Sequence, residues 1–189
     1  MNQAGEYRIG APRETVWRAL NDPDVLARCI DGCEALTKVG DDTFQATVKA
    51  RVGPVSATFT GEVKLTDLDP PKSYTLVADA KGGAAGFGKG TAKVSLADDG
   101  AATILRYEVE GSVGGKLAQV GQRLIDGAAR KMADDFFAKF GEIVAPGDSK
   151  MLVADTKEAG APKRGGRALL IVIVVGAAIA ALAAFLLTR

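Results

Sequence analysis

Gly115–Val144, GKLAQVGQRLIDGAARKMADDFFAKFGEIV, is the segment the rest of the chain is built to hold. Leu117, Val120, Gly121, Leu124, Ile125, Ala128, Met132, Phe136 and Phe140 recur at three- and four-residue spacing, which sets them on one apolar stripe of an α-helix. Asp126 with Arg130, Arg130 with Asp134, Lys131 with Asp135 and Asp135 with Lys139 stand four apart with opposite charge. Such pairs stabilise an exposed helix face by about 0.2–0.5 kcal/mol each, so this side is solvated rather than a binding surface. The stripe is small near Gly121, Gly127, Ala128 and Ala129 and aromatic at Phe136, Phe137 and Phe140. Any space between helix and sheet is therefore expected at the N-terminal half.

Upstream of the helix the hydrophobic period is two. Phe44, Ala46, Val48, Ala50 and Val52 alternate with polar residues until Gly53-Pro54, and Val55, Ala57, Phe59, Gly61, Val63 and Leu65 resume the alternation, which predicts a hairpin. Tyr74 to Ala80, Ala92 to Leu96 and Leu105 to Val109 predict three further strands, so an antiparallel meander runs into the helix. Before the meander, Glu6–Ile9 reads as a short strand, and Pro12 and Pro23 open two short helices. Many inward positions are small: Ala46, Ala50, Ala57, Gly61, Ala78, Ala80 and Ala92. Either the sheet curves closely around the helix or an apolar cavity remains.

Composition narrows the chemistry. A chain of 189 residues, 47% hydrophobic and 25% charged, fits one domain plus an appendage. Its formal net charge of +1 provides no basic field for nucleic acid. The absence of histidine removes the commonest general base, the Ser-His and Cys-His pairs and most metal sites, so the chain leans towards binding rather than catalysis. No catalytic or metal-ligating set is assigned. Cys29 and Cys33, spaced C-x-x-x-C, read as buried or half-buried residues closing a short helix rather than a redox or zinc motif.

Ala168–Leu187, ALLIVIVVGAAIAALAAFLL, carries no charge and as a helix reaches ~30 Å, the thickness of bilayer hydrocarbon. It is expected to span a membrane once. Lys163, Arg164 and Arg167 precede it, which by the positive-inside rule leaves the preceding domain in the cytoplasm. Gly176, Ala180 and Ala184 form a small-residue ridge suited to pairing two such helices. The polar, glycine-containing stretch 146–167 reads as a flexible linker, so the expected organisation is a domain over 1–145, a linker over 146–167 and an anchor over 168–187.

Gly83–Lys89, GAAGFGK, matches half of a phosphate loop, but Gly90 stands where a magnesium-binding Ser or Thr belongs, and TAKVSL continues as a strand. A mobile gate with Phe87 as its apolar flap is the alternative to a plain strand entry. Asp41-Asp42 and Asp134-Asp135 sit on a turn and a solvated helix face, where opposed catalytic geometry is not inferable.

The order strand, two short helices, antiparallel meander and long C-terminal helix resembles the α+β helix-grip fold of START and Bet v 1-like proteins, the SRPBCC superfamily. Pro12-x-x-x-Val16-Trp17-x-x-Leu20, Asp22-Pro23-x-x-Leu26-x-x-Cys29-Ile30-x-Gly32-Cys33, Gly53-Pro54, Gly86-Phe87-Gly88 and Gly114-Gly115-x-Leu117-Ala118-x-Val120-Gly121-x-Arg123-Leu124 resemble the carbon monoxide dehydrogenase G-subunit family over about residues 1–145. Asp31 departs from the proline expected there. The resemblance implies a non-catalytic accessory of a molybdenum-containing carbon monoxide dehydrogenase that recruits the enzyme to the cytoplasmic membrane. It also implies binding of a respiratory quinone, menaquinone or ubiquinone, in the grip cavity, with no covalent cofactor. The ligand space is expected between Phe59, Phe87, Tyr107, Val120, Leu124 and Ala128. A docking anchor or assembly factor without ligand is the second reading, and a hydrolase or cyclase on the same fold the third.

Overall fold

The computed structural model describes residues 2–145 and 179–180. Strand β1 (Asn2–Ile9) leads into helices α1 (Arg13–Leu20) and α2 (Pro23–Cys29). Pro12 stands at the N-cap of α1, and the Asp22 carboxylate caps α2 by accepting from the backbone N–H of Asp24 at 2.9 Å, with Pro23 in the first turn. Five long strands follow a short one: β2 (Cys33–Lys38), then β3 (Thr43–Val52), β4 (Val55–Asp69), β5 (Ser73–Lys81), β6 (Phe87–Asp99) and β7 (Ala102–Gly114). The spatial order β1-β7-β6-β5-β4-β3-β2 is antiparallel throughout, and β1 closes the far edge by pairing with β7, Tyr7 opposite Leu105.

The period-two reading holds where it was strongest. Phe44, Ala46, Val48 and Val52 of β3 and Phe59, Gly61, Val63 and Leu65 of β4 are buried on the inner face. Strand β2 escaped the sequence reading because it is an edge strand with a bulge between Cys33 and Ala35, and only Cys33 and Leu36 are half-buried. Strand β6 starts earlier than expected: Gly88 and Gly90 lie inside it, paired on one side with Ala80 and Ala78 of β5 and on the other with Val113 and Gly111 of β7. The glycine-rich stretch is thus sheet on both sides, and the turn is confined to residues 82–86 with a single 3₁₀ turn at Gly83–Ala85.

The C-terminal helix is not one rod. It divides into α3 (Lys116–Gln119) and α4 (Gln122–Val144), separated at Gly121, whose φ of +92° lies in the left-handed region. Its buried stripe is Ile125, Ala129, Ala133, Phe136, Phe137 and Phe140, rotated by about one residue from the predicted one through its first half. Leu124, predicted inward, is 54% exposed, and Ala128 and Met132 are half-buried on the flank. Of the expected exposed pairs, Lys131 meets Asp135 at 2.6 Å, whereas Lys139 faces Asp31 at 3.7 Å.

The expected linker 146–167 and most of the expected span 168–187 lie outside the described residues. Within that span, Ile179–Ala180 form a two-residue strand, β8, antiparallel to β4 at Gly61 and Thr60. Among the described residues no helix is long and apolar enough to cross a membrane.

Candidate functional site

An apolar cavity of about 80 Å³ lies between the inner face of the sheet and the C-terminal half of α4. Its walls come from α1 and α2 (Leu20, Leu26), from the sheet (Phe44, Val63, Leu76, Ala92, Leu105 and neighbours) and from Phe136 and Phe137. The alternation of each strand aims these side chains inward, and the three- and four-residue spacing of α4 places its rings over them. Tyr74 and Tyr107 bring the two phenols of the lining. A liquid water occupies ~30 Å³ and an engineered apolar cavity that admits benzene ~150 Å³. The observed space is therefore smaller than one aromatic ring needs, and a ring-sized ligand requires the walls to move apart.

Behind Tyr107 and Phe137 of the lining the contacts turn polar. Tyr7 on edge strand β1 donates its hydroxyl to Asp134 Oδ1 of α4 at 2.7 Å. Its ring stacks on Phe137 at 4.1 Å and faces Tyr107 at 6.0 Å. Gly5, paired with Tyr107 across the ladder, is required there because a Cβ would run into the Tyr107 hydroxyl. Burial, then the hydrogen bond to Asp134, hold the Tyr7 phenol well above its ordinary range. Burial likewise raises Tyr107, whose neighbours Tyr7 and Gln3 pull it partly back, and burial alone raises Tyr74. These phenols are neutral hydrogen-bonding groups beside an apolar space, not poised acids or bases. Among the described residues no cluster of His, Cys, Asp and Glu is arranged to hold a metal. Cys29 is buried at the end of α2, and desolvation pushes its thiol up to about 11, which makes it a poor nucleophile.

Of the six residues expected to bound the ligand space, Tyr107 lines the cavity. Phe59 is buried where its ring would collide with any side chain at Gly82. Phe87 is 42% exposed, its ring against Gly114. Val120 and Leu124 flank the β3–β4 turn, where a Cβ on Gly53 would sit 3.2 Å from Val120 Cγ1 and 3.5 Å from Leu124 Cδ1. Ala128 is half-buried on the helix flank. The cavity thus lies beside the aromatic half of α4, not at the N-terminal half that residue size suggested. Small residues on facing elements allow the two backbones to close, whereas stacked rings hold them apart and leave a gap that whole side chains cannot fill. Leu20, Leu26 and Leu36 were missed as lining because α1, α2 and β2 meet the sheet only in three dimensions. The apolar spacing of Val16, Leu20 and Leu26 was the available signal.

Residues 5–145 match the family described as CoxG, the G subunit of carbon monoxide dehydrogenase. A crystal structure of a conserved protein from Geobacillus kaustophilus is 32% identical, with a TM-score of 0.73, covering 77% of this chain and 96% of that one. A START superfamily protein from Mycobacterium smegmatis is 11% identical, with a TM-score of 0.58 over 76% of this chain and 96% of its own. The Zhui aromatase/cyclase from Streptomyces sp. R1128 is 12% identical, with a TM-score of 0.55 over 76% of this chain and 93% of its own, a likeness of fold alone. No curated protein matches the chain.

Proposed function

The chain belongs to the CoxG family of carbon monoxide dehydrogenase, and from that membership we propose that it is a membrane-associated, non-catalytic accessory of a molybdenum carbon monoxide dehydrogenase. In this reading the domain sits on the cytoplasmic side, held by the apolar segment 168–187. It takes a respiratory quinone into the helix-grip interior and presents it to the dehydrogenase. The observation that carries the ligand-binding part is the composition of the cavity wall, aliphatic and aromatic apart from the phenols of Tyr74 and Tyr107. A quinone ring is apolar over its faces and accepts hydrogen bonds at two carbonyl oxygens, which suits an aromatic lining with a neutral phenol at one side. The Tyr7–Asp134 hydrogen bond joins the edge strand to α4 behind Tyr107 and Phe137 of that lining.

Native mass spectrometry of the full-length protein, purified in detergent and offered ubiquinone or menaquinone, tests the reading. A bound quinone in the parent protein is expected, and Ala92→Leu, which adds three carbons to the cavity wall, should reduce its occupancy at least about ten-fold through overpacking. A parent protein that takes up neither quinone ends the carrier reading.

The 80 Å³ size of the cavity favours a second reading, in which the interior is core and the protein docks or assembles the dehydrogenase without a ligand. Ala92→Leu would then leave membrane recruitment of the dehydrogenase unchanged, and deletion of residues 146–189 would release the enzyme.

A further inference from the structure

Antiparallel pairing sorts the turns of the sheet to two ends, and the ends carry opposite charge. At one end lie the β3–β4 turn at Gly53-Pro54, the β5–β6 turn over 82–86 and the passage from β7 through α3 to the start of α4. These turns touch one another. A Cβ on Gly86 would collide with the Gly114 carbonyl, and one on Gly53 would crowd Val120 and touch Leu124. Residues 49–57, 80–90 and 111–125, which form this end, contain no aspartate or glutamate. Arg51, Lys81, Lys116 and Arg123 are exposed on it, and none is in an ion pair among the described residues. The same end carries Phe87 and Leu124, two of the five large hydrophobic side chains most exposed in the described residues, whereas Val39 and Leu68 of that five stand at the far end among aspartates. At the far end stand Asp41, Asp42, Asp67, Asp69, Asp98 and Asp99, of which Asp69, Asp98 and Asp99 pair with Lys72, Arg13 and Arg8 and the other three are in no ion pair among the described residues. The net charge of +1 therefore conceals a separation of charge along the length of the domain.

We propose that the glycine-turn end, with Phe87 and Leu124 as apolar wedges among basic residues in no ion pair, docks on an anionic lipid bilayer. Basic side chains that reach lipid phosphates around apolar groups seated at the acyl boundary are the pattern by which proteins lie on membranes. What sets this end apart from a solvated basic patch, and from the far end where Leu68 is exposed among aspartates, is that its exposed Phe87 and Leu124 share a surface with basic side chains. The acidic end points away, repelled by the same lipid charge. The stretch 146–167, which leaves from that far end, could extend to roughly 70 Å, whereas α4 is ~35 Å long, so a C-terminal anchor does not prevent the domain from turning this face down. The inference rests on the membrane-associated reading for its setting but not on quinone binding.

The test uses the full-length chain with one tryptophan added at each end, Phe87→Trp or Leu124→Trp against Leu68→Trp beside Asp67 and Asp69. Quinone-free vesicles with brominated acyl chains serve as quencher, either equal parts phosphatidylglycerol and phosphatidylcholine or phosphatidylcholine alone. With the anionic vesicles, the tryptophans at 87 and 124 should lose about half their added emission, as expected for side chains at the acyl boundary, and the one at 68 none. Lys81→Glu and Lys116→Glu should each shift the balance between docked and undocked domain, read as quenching at 87 and 124, at least about five-fold, the equivalent of about 1 kcal/mol per basic residue at an anionic surface, while the segment 168–187 keeps every variant on the vesicle. Quenching at 68 in place of 87 and 124 would overturn the proposal. So would quenching at 87 and 124 that is indifferent to the two reversals, or an absence of quenching at both ends. Because the vesicles hold no quinone, the outcome is independent of whether the carrier reading survives.

Discussion

Between Ile125 and Ala133 helix α4 buries only medium and small side chains, whereas from Phe136 to Phe140 it buries three aromatic rings, and the cavity lies beside the rings. Side-chain size alone suggests the reverse, with space under the small residues. The difference teaches that an interior gap forms where large, rigid groups hold two layers apart, not where small ones let them meet. It also separates two tasks along one helix. The aromatic half anchors the fold and borders the cavity, while the N-terminal half, freed from the core on its Leu124 side, reaches the glycine turns and solvent.

The sharpest way to break this contrast is Phe140→Ala. The ring is fully buried and stacks on Phe136 at 5.9 Å, so its removal should cost about 3–5 kcal/mol, read as a lower urea midpoint with an unchanged slope. A loss near 1 kcal/mol would mean that the aromatic half is not the anchor. Next in size, Gly121→Ala puts a Cβ on a residue at φ +92°, where steric room exists but the backbone conformation disfavours it, and should cost about 1–2 kcal/mol. No effect would show that the break between α3 and α4 moves readily.

A third measurement reads the polar edge. All three tyrosines of the chain are raised above the ordinary phenol value near 10, so the folded state holds phenolic protons that the unfolded state releases. The unfolded chain then binds fewer protons above pH ~10, and stability must fall as pH rises past that point while being fully present below it. Tyrosinate absorbance should appear together with loss of helical circular dichroism. Phenols that ionise near pH 10 in an intact fold would contradict the burial of this edge. The smallest effect is reserved for Leu124→Ala, whose exposed side chain should contribute no more than about 0.5 kcal/mol. A larger loss would place the N-terminal half of α4 back in the core.

Much of the architecture was legible in local pattern. Phe44 to Val52 and Val55 to Leu65 alternate so regularly that their pairing and inner face follow from the period of a strand, and Gly53-Pro54 marks the turn between them. Asp22-Pro23 announces α2 by cap chemistry. Strand β2 was not legible, because an edge strand with a bulge buries too little to impose a period on its sequence. The first half of α4 misled for a related reason. Gly121, Leu124, Ala128 and Met132 form as good a stripe as Ile125, Ala129 and Ala133, and only contact with the sheet chooses between two stripes one residue apart. Of the candidate site, Tyr107 was legible as an inward aromatic of β7. Its partners Tyr7, Gly5 and Asp134 were not, since they arrive from opposite ends of the chain.

Sequence alone determined the kind of elements, their order and most inward faces, because these depend on periods of two and three to four residues that neighbours in the chain enforce. The tertiary structure decided how α4 is turned, where the interior stays unfilled and which end gathers unpaired positive charge. Those outcomes depend on how side-chain volumes and charges from distant segments meet, a sum over contacts that no local window contains.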